Sequence, residues 1–304
     1  MTGSTPNTIP DLDTLLAPSR LVEPFLERFL DQRPLPRNLR EAAKYSLLGP
    51  GKRLRPVLVV RSFEAVGGGP ADIETALVPA AAIEMIHCFS LIHDDLPAMD
   101  NDDLRRGRPT LHKATSEAMA ILAGDLLSAL AFELIATRLP APLAARITAE
   151  LAQSTNDMIA GQVYDTLPDF PPDMPAMEKL RTIHKNKTGA LIRCACRMGS
   201  LVAPGITPDS PKLAAITRHA ELIGLMFQVV DDLLDVTQTT AQLGKTAGKD
   251  QQQNKLTYPA LIGLEATRAE VQRLNREAQA ALDPLGPAAQ PLRDLCAYMA
   301  VRSK

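Results

Sequence analysis

The sequence predicts an all-α fold built as one domain. Aromatic residues make up only 4% of the 304 residues and tryptophan is absent, whereas alanine and leucine recur at i, i+3 and i+4 spacing along most of the chain. No segment alternates polar and apolar residues for long enough to require a sheet. The length allows one large core or two small ones. Because no long polar linker divides the chain, we expect a single domain over residues 1–304, with residues 1–18 as a flexible N-terminal segment.

Apolar periodicity and helix-breaking residues predict ten helices, with ends placed to about 2–4 residues. They are Leu21–Phe29, Leu39–Leu47, Pro56–Val66, Ile73–Leu96, Thr115–Thr137, Leu143–Leu167, Met177–Leu201, Lys212–Val236, Tyr258–Leu282 and Gln290–Arg302. Proline- and glycine-rich breaks separate them at 67–70, 139–142, 168–175, 204–205 and 284–287. Such short breaks indicate turns between packed helices.

Composition narrows the possible partners and compartments. The 33 basic and 35 acidic residues nearly cancel, so no overall charge attracts nucleic acid or an anionic membrane. Four cysteines without a CxxC pair lie in apolar segments, which is typical of reduced core residues in a cytoplasmic protein. We find no export signal and no run of about 18 apolar residues. A cytoplasmic protein without a membrane span and without nucleic acid is expected.

Two clusters of aspartates interrupt otherwise apolar helices. The first, residues 94–100, follows an apolar helix that Pro97 ends near Leu96. The second comprises Asp231, Asp232 and Asp235, and its i, i+4 spacing stacks the first and last of these on one helix face. Both clusters add negative charge where the helix dipole is already negative. A bound cation is therefore expected at each.

Mg²⁺ is the expected cation, because the ligands are hard oxygens without an accompanying histidine or cysteine. The alternative for either cluster taken singly is a solvated acidic face. Two clusters on apolar helices favour the metal, because apolar neighbours such as Phe227 and Leu234 make a fully solvated face harder to maintain.

Two short segments combine glycine with several cations, residues 49–56 and residues 105–108. Glycine permits close backbone approach to an anion, and arginine and lysine bind phosphate oxygens. A helix beginning near Pro56 would also direct free amides at an anion. Residues 49–56 lack the GxxxxGK[ST] pattern, which disfavours a nucleotide hydrolase. Any single lysine elsewhere is ordinarily a solvated surface residue.

Taken in order, these motifs resemble the trans-isoprenyl diphosphate synthases, the short-chain prenyltransferases that include farnesyl and geranylgeranyl diphosphate synthases. The resembling segments are 51–56 (the isopentenyl diphosphate loop), 94–100 (the first aspartate-rich motif), 161–165, 187–189, 227–228, 231–235 (the second aspartate-rich motif) and 244–255. The resemblance, closest to bacterial farnesyl diphosphate synthase, implies a helical bundle of the isoprenoid synthase type around a central active-site cavity. It also implies a homodimer.

The same resemblance implies a role for each matching residue. Mg²⁺, as three ions with bound diphosphate, would be held by Asp94, Asp95, Asp100, Asp231 and Asp235. The allylic diphosphate pocket would be completed by Arg105, Lys187, Thr188, Gln228, Lys245 and Lys255. Isopentenyl diphosphate would lie between Gly51, Lys52, Arg55, His87 and Arg106. The catalytic set would be Asp94, Asp95, Asp100, Arg105, Lys187, Asp231, Asp232 and Lys245.

The implied reaction is a condensation of isopentenyl diphosphate with dimethylallyl or geranyl diphosphate. Metal ions and cationic side chains would stabilise the departing diphosphate, and the double bond of isopentenyl diphosphate would attack the allylic carbocation. No side-chain nucleophile is required, in agreement with the lack of a Ser/His/Asp or Cys/His set in the sequence. Apolar walls would keep water from capturing the cation.

Product length depends on the helix that precedes the first motif. Phe89 and Ser90 lie five and four positions before Asp94, roughly 6–7.5 Å down the helix, where a growing tail would pass. An aromatic ring there would form a floor, so we predict a C15 product, farnesyl diphosphate, with geranylgeranyl diphosphate as the alternative. Phe89 as an ordinary core residue remains open, because sequence does not fix rotation about the helix axis.

Two rival functions are less consistent with the motifs. A terpene cyclase would be expected to carry an Asn/Ser/Glu metal motif in place of residues 231–235, and would not need residues 51–55 for a second diphosphate. A non-catalytic partner subunit of a heteromeric prenyltransferase usually has one degraded aspartate cluster, whereas both clusters are intact in this sequence.

Overall fold

A computed structural model of the chain describes residues 10–237 and 256–302. It confirms the all-α fold. The α-helices are α1 (Leu12–Leu15), α2 (Ser19–Asp31), α3 (Arg37–Leu47), α4 (Leu54–Ala65), α5 (Ile73–Asp94), α6 (Leu111–Ala114), α7 (Glu117–Arg138), α8 (Ala141–Thr166), α9 (Ala176–Ile183), α10 (Ala190–Leu201), α11 (Pro211–Thr237), α12 (Tyr258–Ile262), α13 (Leu264–Ala280) and α14 (Gln290–Val301). Two 3₁₀ helices, Pro70–Asp72 and Asp283–Ala289, lead into α5 and α14.

A small hairpin that the sequence did not predict follows the first aspartate cluster. Strands β1 (Leu104–Arg105) and β2 (Arg108–Pro109) pair antiparallel, with Arg105 opposite Arg108. The two turn residues, Arg106 and Gly107, both have positive φ, 53° and 77°, as tight hairpin turns require. Strands of two residues are too short to give a recognisable period-two pattern, so only the structure identifies them.

Two predicted helices differ in detail from the observed ones. The segment predicted as one α-helix from Met177 to Leu201 contains a π-helical turn at His184–Gly189 between α9 and α10. The segment predicted from Tyr258 to Leu282 is broken at Gly263, whose φ of 83° ends α12 before α13 begins. Glycine adopts positive φ without steric cost, which is why the break occurs there.

The core is organised around α5, which is buried along most of its length. Helix α5 packs between α4 and α7, while α10 packs against α4, α8 and α11, and α11 packs against α13. A helix that is apolar on all sides is expected to lie inside a protein. The consequence for the site is that the aspartates at the end of α5 are held by a rigid, central helix.

Within residues 10–237 and 256–302, three helical segments are long and apolar enough to cross a membrane by length and composition alone: Pro70–Asp94, Glu117–Arg138 and Pro211–Thr237. Each segment contains polar or charged residues, such as Glu84, Asp125 and Glu221, so none is an unbroken apolar run, and the expectation that the chain has no membrane span stays a prediction. Central helices of a large all-α core have the same composition as spans. The most apolar 18-residue stretches of these segments are 72%, 44% and 61% buried, in the same order. Of the three, α7 therefore leaves the largest part of its apolar stretch uncovered.

Candidate active site

The first aspartate cluster lies where α5 ends. Asp94 is the last residue of the helix and Asp95 is its C-cap, two residues earlier than the predicted end at Leu96. The backbone N–H of Asp100 then donates to the carbonyl of Asp94 over 2.8 Å. This hydrogen bond folds the loop back, so the cluster is a compact turn at a helix C-terminus.

Asp94 carries a strongly perturbed carboxyl. Burial is the main cause that raises its pKa to about 6, with the charge of Lys187 opposing the shift and that of Asp100 adding to it. No hydrogen bond to its side chain occurs among residues 10–237 and 256–302. A half-buried carboxylate of this kind is stabilised by any cation that reaches it.

This shift gives a pH prediction for the metal-free protein. Because the folded pKa of Asp94 is about 6 against an ordinary value of 3.8, the folded state keeps a proton that the unfolded chain releases. The contribution of Asp94 to the free energy of unfolding is therefore expected to be fully present below about pH 4 and to be lost as pH rises through about 6. In urea unfolding across this range, the difference in the free energy of unfolding between the wild type and Asp94→Asn should change with pH in this window. Parallel profiles would contradict the shift.

Asp95 is paired with Arg105 on β1. The guanidinium donates from Nε to both carboxylate oxygens over 2.9 Å and from Nη2 to Oδ1 over 2.6 Å. Asp95 is buried, and burial raises its pKa although the hydrogen bond from Arg105 acts in the opposite direction. The pair also lines a pocket together with Gly49 and Pro50 of the loop between α3 and α4.

The second cluster occupies the last two turns of α11. The carboxylate of Asp231 accepts from Gln228 Nε2 over 3.1 Å and from Arg302 Nη2 over 2.5 Å. One turn further on, Asp235 is buried, and its Oδ2 has no hydrogen-bond partner within the described part of the chain. Asp231 and Asp235 lie on one helix face, as their spacing predicted.

Asp232 has a structural contact that sets it apart from its two neighbours. Its Oδ2 accepts from the backbone N–H of Tyr258 over 2.9 Å, and its Oδ1 lies 3.7 Å from His184 Nε2. Burial lowers the pKa of His184 to about 4, so the imidazole is neutral near pH 7. Asp232 therefore joins α11 to the start of α12. Its predicted catalytic role stays a prediction.

Lys187 is carried by the π-helical turn, a feature that often occurs at functional sites. Its ammonium donates to Asp165 Oδ2 over 2.7 Å, and its charge acts on Asp94. Gly161 of α8 makes this position possible, because a Cβ there would overlap the backbone nitrogen of Lys187. The neighbouring Thr188 is half-buried.

The loop between α3 and α4 is fixed by an inward-facing arginine. Arg53 has a φ of 50° and a side chain only 2% exposed. It donates to Glu84 Oε1 over 3.2 Å, to Glu23 Oε1 over 3.0 Å and to the carbonyl of Gly49 over 2.6 Å. These contacts tie the loop to α2 and α5, so that Lys52 and Arg55 on either side are presented from a rigid backbone.

Arg55, His87 and Arg106, three of the residues expected to bind isopentenyl diphosphate, lie close enough for their charges to act on one another. Arg106 Nη1 donates to the carbonyl of Pro50 over 2.7 Å. Burial, with the charge of Arg106 acting in the same direction, lowers the pKa of Arg55 to about 10. The pKa of His87 lies well below 6.5 through burial and the nearby arginines. Excess positive charge around a neutral imidazole is suited to a polyanion.

The two residues predicted to set product length lie before the first cluster on α5. The Phe89 ring meets the His93 ring edge-on, with centroids 5.0 Å apart. His93 Nε2 lies 3.2 Å from the carbonyl of Ile121 on α7. The Ser90 hydroxyl donates to the carbonyl of His87 over 2.9 Å. Phe89 is half-buried, and its role as a floor stays a prediction.

Several residues of the site were not identified from sequence. Glu84 could have been identified, because a carboxylate inside an apolar helix indicates a buried ion pair. Arg53 lay inside a quoted motif but was given no role. Nothing local in the sequence singled out Tyr298 or Arg302 of the α14 region. Two residues assigned to the allylic pocket, Lys245 and Lys255, lie outside the described residues.

The residues present fit a divalent cation completed by substrate, rather than one enclosed by protein. Among the described residues, no three His, Cys, Asp or Glu side chains lie close enough to hold a metal ion by themselves. Mg²⁺ ordinarily takes one or two carboxylates and fills its remaining positions with water and phosphate. Asp94 and the unpartnered oxygen of Asp235 offer such oxygens. The metal assignment itself stays a prediction.

Comparison with known proteins gives the same family as the motifs. The polyprenyl synthetase family matches residues 36–283. Geranylgeranyl pyrophosphate synthase 9, chloroplastic, of Arabidopsis thaliana is 48% identical over 275 residues, which are 88% of this chain and 75% of that protein. The match extends over most of this chain and most of that protein.

Solved structures agree with this result. A putative farnesyl-diphosphate synthase from Marinomonas sp. MED121 superposes with a TM-score of 0.80 at 38% identity, covering 96% of this chain and all of that chain (100%). Geranylgeranyl pyrophosphate synthetase from Pyrococcus horikoshii superposes with a TM-score of 0.83 at 29% identity, covering 96% and 98%. The chain belongs to the polyprenyl synthetase family, the trans-isoprenyl diphosphate synthases that its motifs resemble.

Proposed function

We propose that this protein condenses isopentenyl diphosphate head-to-tail with an allylic diphosphate and that its final product is geranylgeranyl diphosphate. The observation that carries the proposal is the presence of two unlike charged regions on neighbouring elements. One is the arginine-rich group around His87, and the other comprises the two aspartate clusters. The first suits a diphosphate bound directly by protein cations, and the second suits a diphosphate bound through metal ions.

The cationic group would bind isopentenyl diphosphate. Arg55, Arg106 and Lys52 supply charge-assisted hydrogen bonds to phosphate oxygens. Neutral His87 supplies a further donor without adding charge. Because Arg53 and Glu84 hold the loop, these donors require little reorganisation when the substrate binds, which favours tight and oriented binding.

The aspartate clusters would bind the allylic diphosphate through Mg²⁺, with three ions as the resemblance implies. When bound, the ions supply charge stabilisation for the departing diphosphate. On the protein side, Asp94, Asp100, Asp231 and Asp235 would hold the ions. Lys187 on the π-helical turn would approach the diphosphate as a further cation.

The bond changes then balance without a side-chain nucleophile. The carbon–oxygen bond of the allylic diphosphate breaks, the double bond of isopentenyl diphosphate forms the new carbon–carbon bond, and one proton leaves for the departed diphosphate. The described cysteines are not suited to nucleophilic attack, because burial raises the pKa of Cys88, Cys194 and Cys196 to about 12. The apolar side chains of α5 exclude water from the cation.

Two observations bear on product length in opposite directions. The curated plant relatives are named geranylgeranyl pyrophosphate synthases, which favours the C20 product, the alternative in the sequence analysis, over the C15 product expected first. Farnesyl diphosphate is the second candidate, because a bulky Phe89 ring braced by His93 would shorten a pocket that runs along α5.

The substitution Phe89→Ala tests the floor. If the ring limits the tail, we expect the longest product to gain at least one five-carbon unit, because removing the ring opens space along the helix. Thin-layer chromatography of dephosphorylated products gives the measurement. Phe25→Ala on α2, also half-buried, is the matched control and should leave chain length unchanged. An unaltered product from Phe89→Ala would make Phe89 an ordinary core residue.

The proposed function as a whole is tested by incubating the purified chain alone with Mg²⁺, isopentenyl diphosphate and dimethylallyl diphosphate. A linear C20 diphosphate with release of pyrophosphate is the expected result. A C15 end product would favour the second candidate. Cyclic hydrocarbon would indicate a terpene cyclase, and a chain active only after addition of another subunit would indicate a regulatory partner.

Two further properties belong to the proposal. We propose a homodimer, supported by Ile121 and Leu122 of α7, which are 44% and 55% exposed on a helix that leaves much of its apolar surface uncovered. We also propose a cytoplasmic location, supported by the four cysteines, all of which are buried and free. Free buried thiols are typical of a reducing compartment.

A further inference from the structure

Arg302, directly after α14, holds the first aspartate of the second cluster. Its Nη2 donates to Asp231 Oδ1 over 2.5 Å and to the carbonyl of Phe227 over 3.1 Å. The guanidinium carbon lies 4.0 Å from the centroid of the Phe227 ring. The side chain is only 9% exposed. An ion pair, a backbone hydrogen bond and a cation–π contact together give a defined position to an arginine that follows the last turn of a helix.

The contact occupies the carboxylate that the metal would need. Asp231 Oδ1 accepts from Arg302, and its Oδ2 accepts from Gln228. A divalent ion bound to either oxygen would lie within a few ångströms of the guanidinium, where like charges repel strongly at a partly buried site. The arginine and the ion are therefore expected to exclude each other from this position.

The C-terminal end of α14 also contacts the loop between α3 and α4. Tyr298, four residues before Arg302, accepts a hydrogen bond from Lys52 Nζ over 3.1 Å, and the ammonium lies 5.5 Å from the ring centroid. The end of α14 and the residue that follows it therefore contact both charged regions of the site, so the contact with Asp231 is not an isolated surface pair.

We propose that Arg302 is an internal counter-ion that neutralises Asp231 in the metal-free enzyme and is displaced when the divalent ion and diphosphate bind. The inference rests on the proposed metal role of the second cluster. Arg302 then competes with the divalent ion for the Asp231 carboxylate, and this competition sets the metal concentration at which the site fills. If the contact is closed about nine-tenths of the time, the apparent affinity for metal is lowered about tenfold, since only the open fraction can bind.

The test measures metal binding directly rather than turnover. Mn²⁺ is titrated calorimetrically into the full chain in the presence of inorganic pyrophosphate, with electron paramagnetic resonance counting the bound ions. The variants are Arg302→Met, Arg302→Lys and Asp231→Asn. Arg268→Met is the matched control, because it removes the same charge from a surface pair with Glu265 on α13.

We expect Arg302→Met to bind Mn²⁺ about tenfold more tightly than the wild type, Arg302→Lys to stay close to the wild type, and Arg268→Met to be unchanged. Equal or weaker binding by Arg302→Met overturns the inference, while a loss of affinity in Asp231→Asn would still support the metal site. If Asp231→Asn binds Mn²⁺ as well as the wild type, the proposed metal role of Asp231 is wrong, and the counter-ion role of Arg302 is wrong with it.

Discussion

Asp94→Asn should lower kcat by about 10³-fold or more while the protein stays folded. A metal ion that stabilises a departing diphosphate contributes several kcal/mol to the transition state, and about 4 kcal/mol corresponds to three orders of magnitude in rate. Asparagine keeps the shape of the side chain but removes the negative charge. Because burial already disfavours the ionised carboxyl in the metal-free protein, the substitution should not reduce stability. Steady-state kinetics at saturating Mg²⁺ and thermal unfolding give the two measurements.

Asp103→Asn is the matched control for this experiment. Asp103 belongs to the same acidic run, but its side chain is 72% exposed and pairs with Lys113 over 2.9 Å. We expect its kcat to stay within about twofold of the wild type, since exposed ion pairs contribute little. Equal losses in the two variants would mean that general acidity of the loop matters, and that Asp94 has no special role.

Arg55→Met should raise the KM for isopentenyl diphosphate about 10- to 100-fold. Hydrogen bonds to charged groups contribute about 1.5–3 kcal/mol each, and methionine keeps much of the apolar stem while removing the guanidinium. The pKa of Arg55 is lowered to about 10 by burial, and its Nε has no partner within residues 10–237 and 256–302. A bound anion would accept a hydrogen bond from Nε and would stabilise the buried positive charge of the guanidinium. The KM for the allylic substrate should change far less.

Arg61→Met, on the same helix, separates binding from folding. Arg61 pairs with Glu64 over 3.0 Å and donates to the carbonyl of Thr14, away from the cationic group. It should lower stability slightly and leave both KM values unchanged. If Arg55→Met raised both KM values equally, the division of the site into two diphosphate regions would be incorrect.

Much of the fold was predictable because its signals are local. The apolar composition of α5 is enough to predict a buried helix, and Pro97 predicts that it ends nearby. The break at Gly263 was not predicted although the glycine itself is a local signal, whereas the π-helical turn before Ala190 depends on how neighbouring helices meet. The turn that carries Lys187 requires the close approach at Gly161, which no pattern within one segment records.

The site residues likewise divide into those that the sequence indicated and those whose contacts only the fold reveals. The family resemblance implied that Arg55, His87 and Arg106 share one binding region, and the structure places them within reach of one another's charges. Contacts between residues far apart in the chain could not be read from spacing, and Arg302 on Asp231, 71 positions away, is the clearest case. Asp232 was expected to be catalytic without holding metal, and the hydrogen bond that it accepts from the backbone N–H of Tyr258 is a contact that only the fold supplies.

The central claim is that carboxylates from the ends of α5 and α11 hold divalent ions that share one diphosphate. A crystal structure with Mn²⁺ and an unreactive allylic thiodiphosphate tests it most directly, because anomalous scattering locates the ions. We expect manganese peaks about 2.0–2.3 Å from oxygens of both Asp94 and the Asp231–Asp235 face, each also touching the diphosphate. A diphosphate bound elsewhere, or manganese confined to one cluster, would contradict the claim.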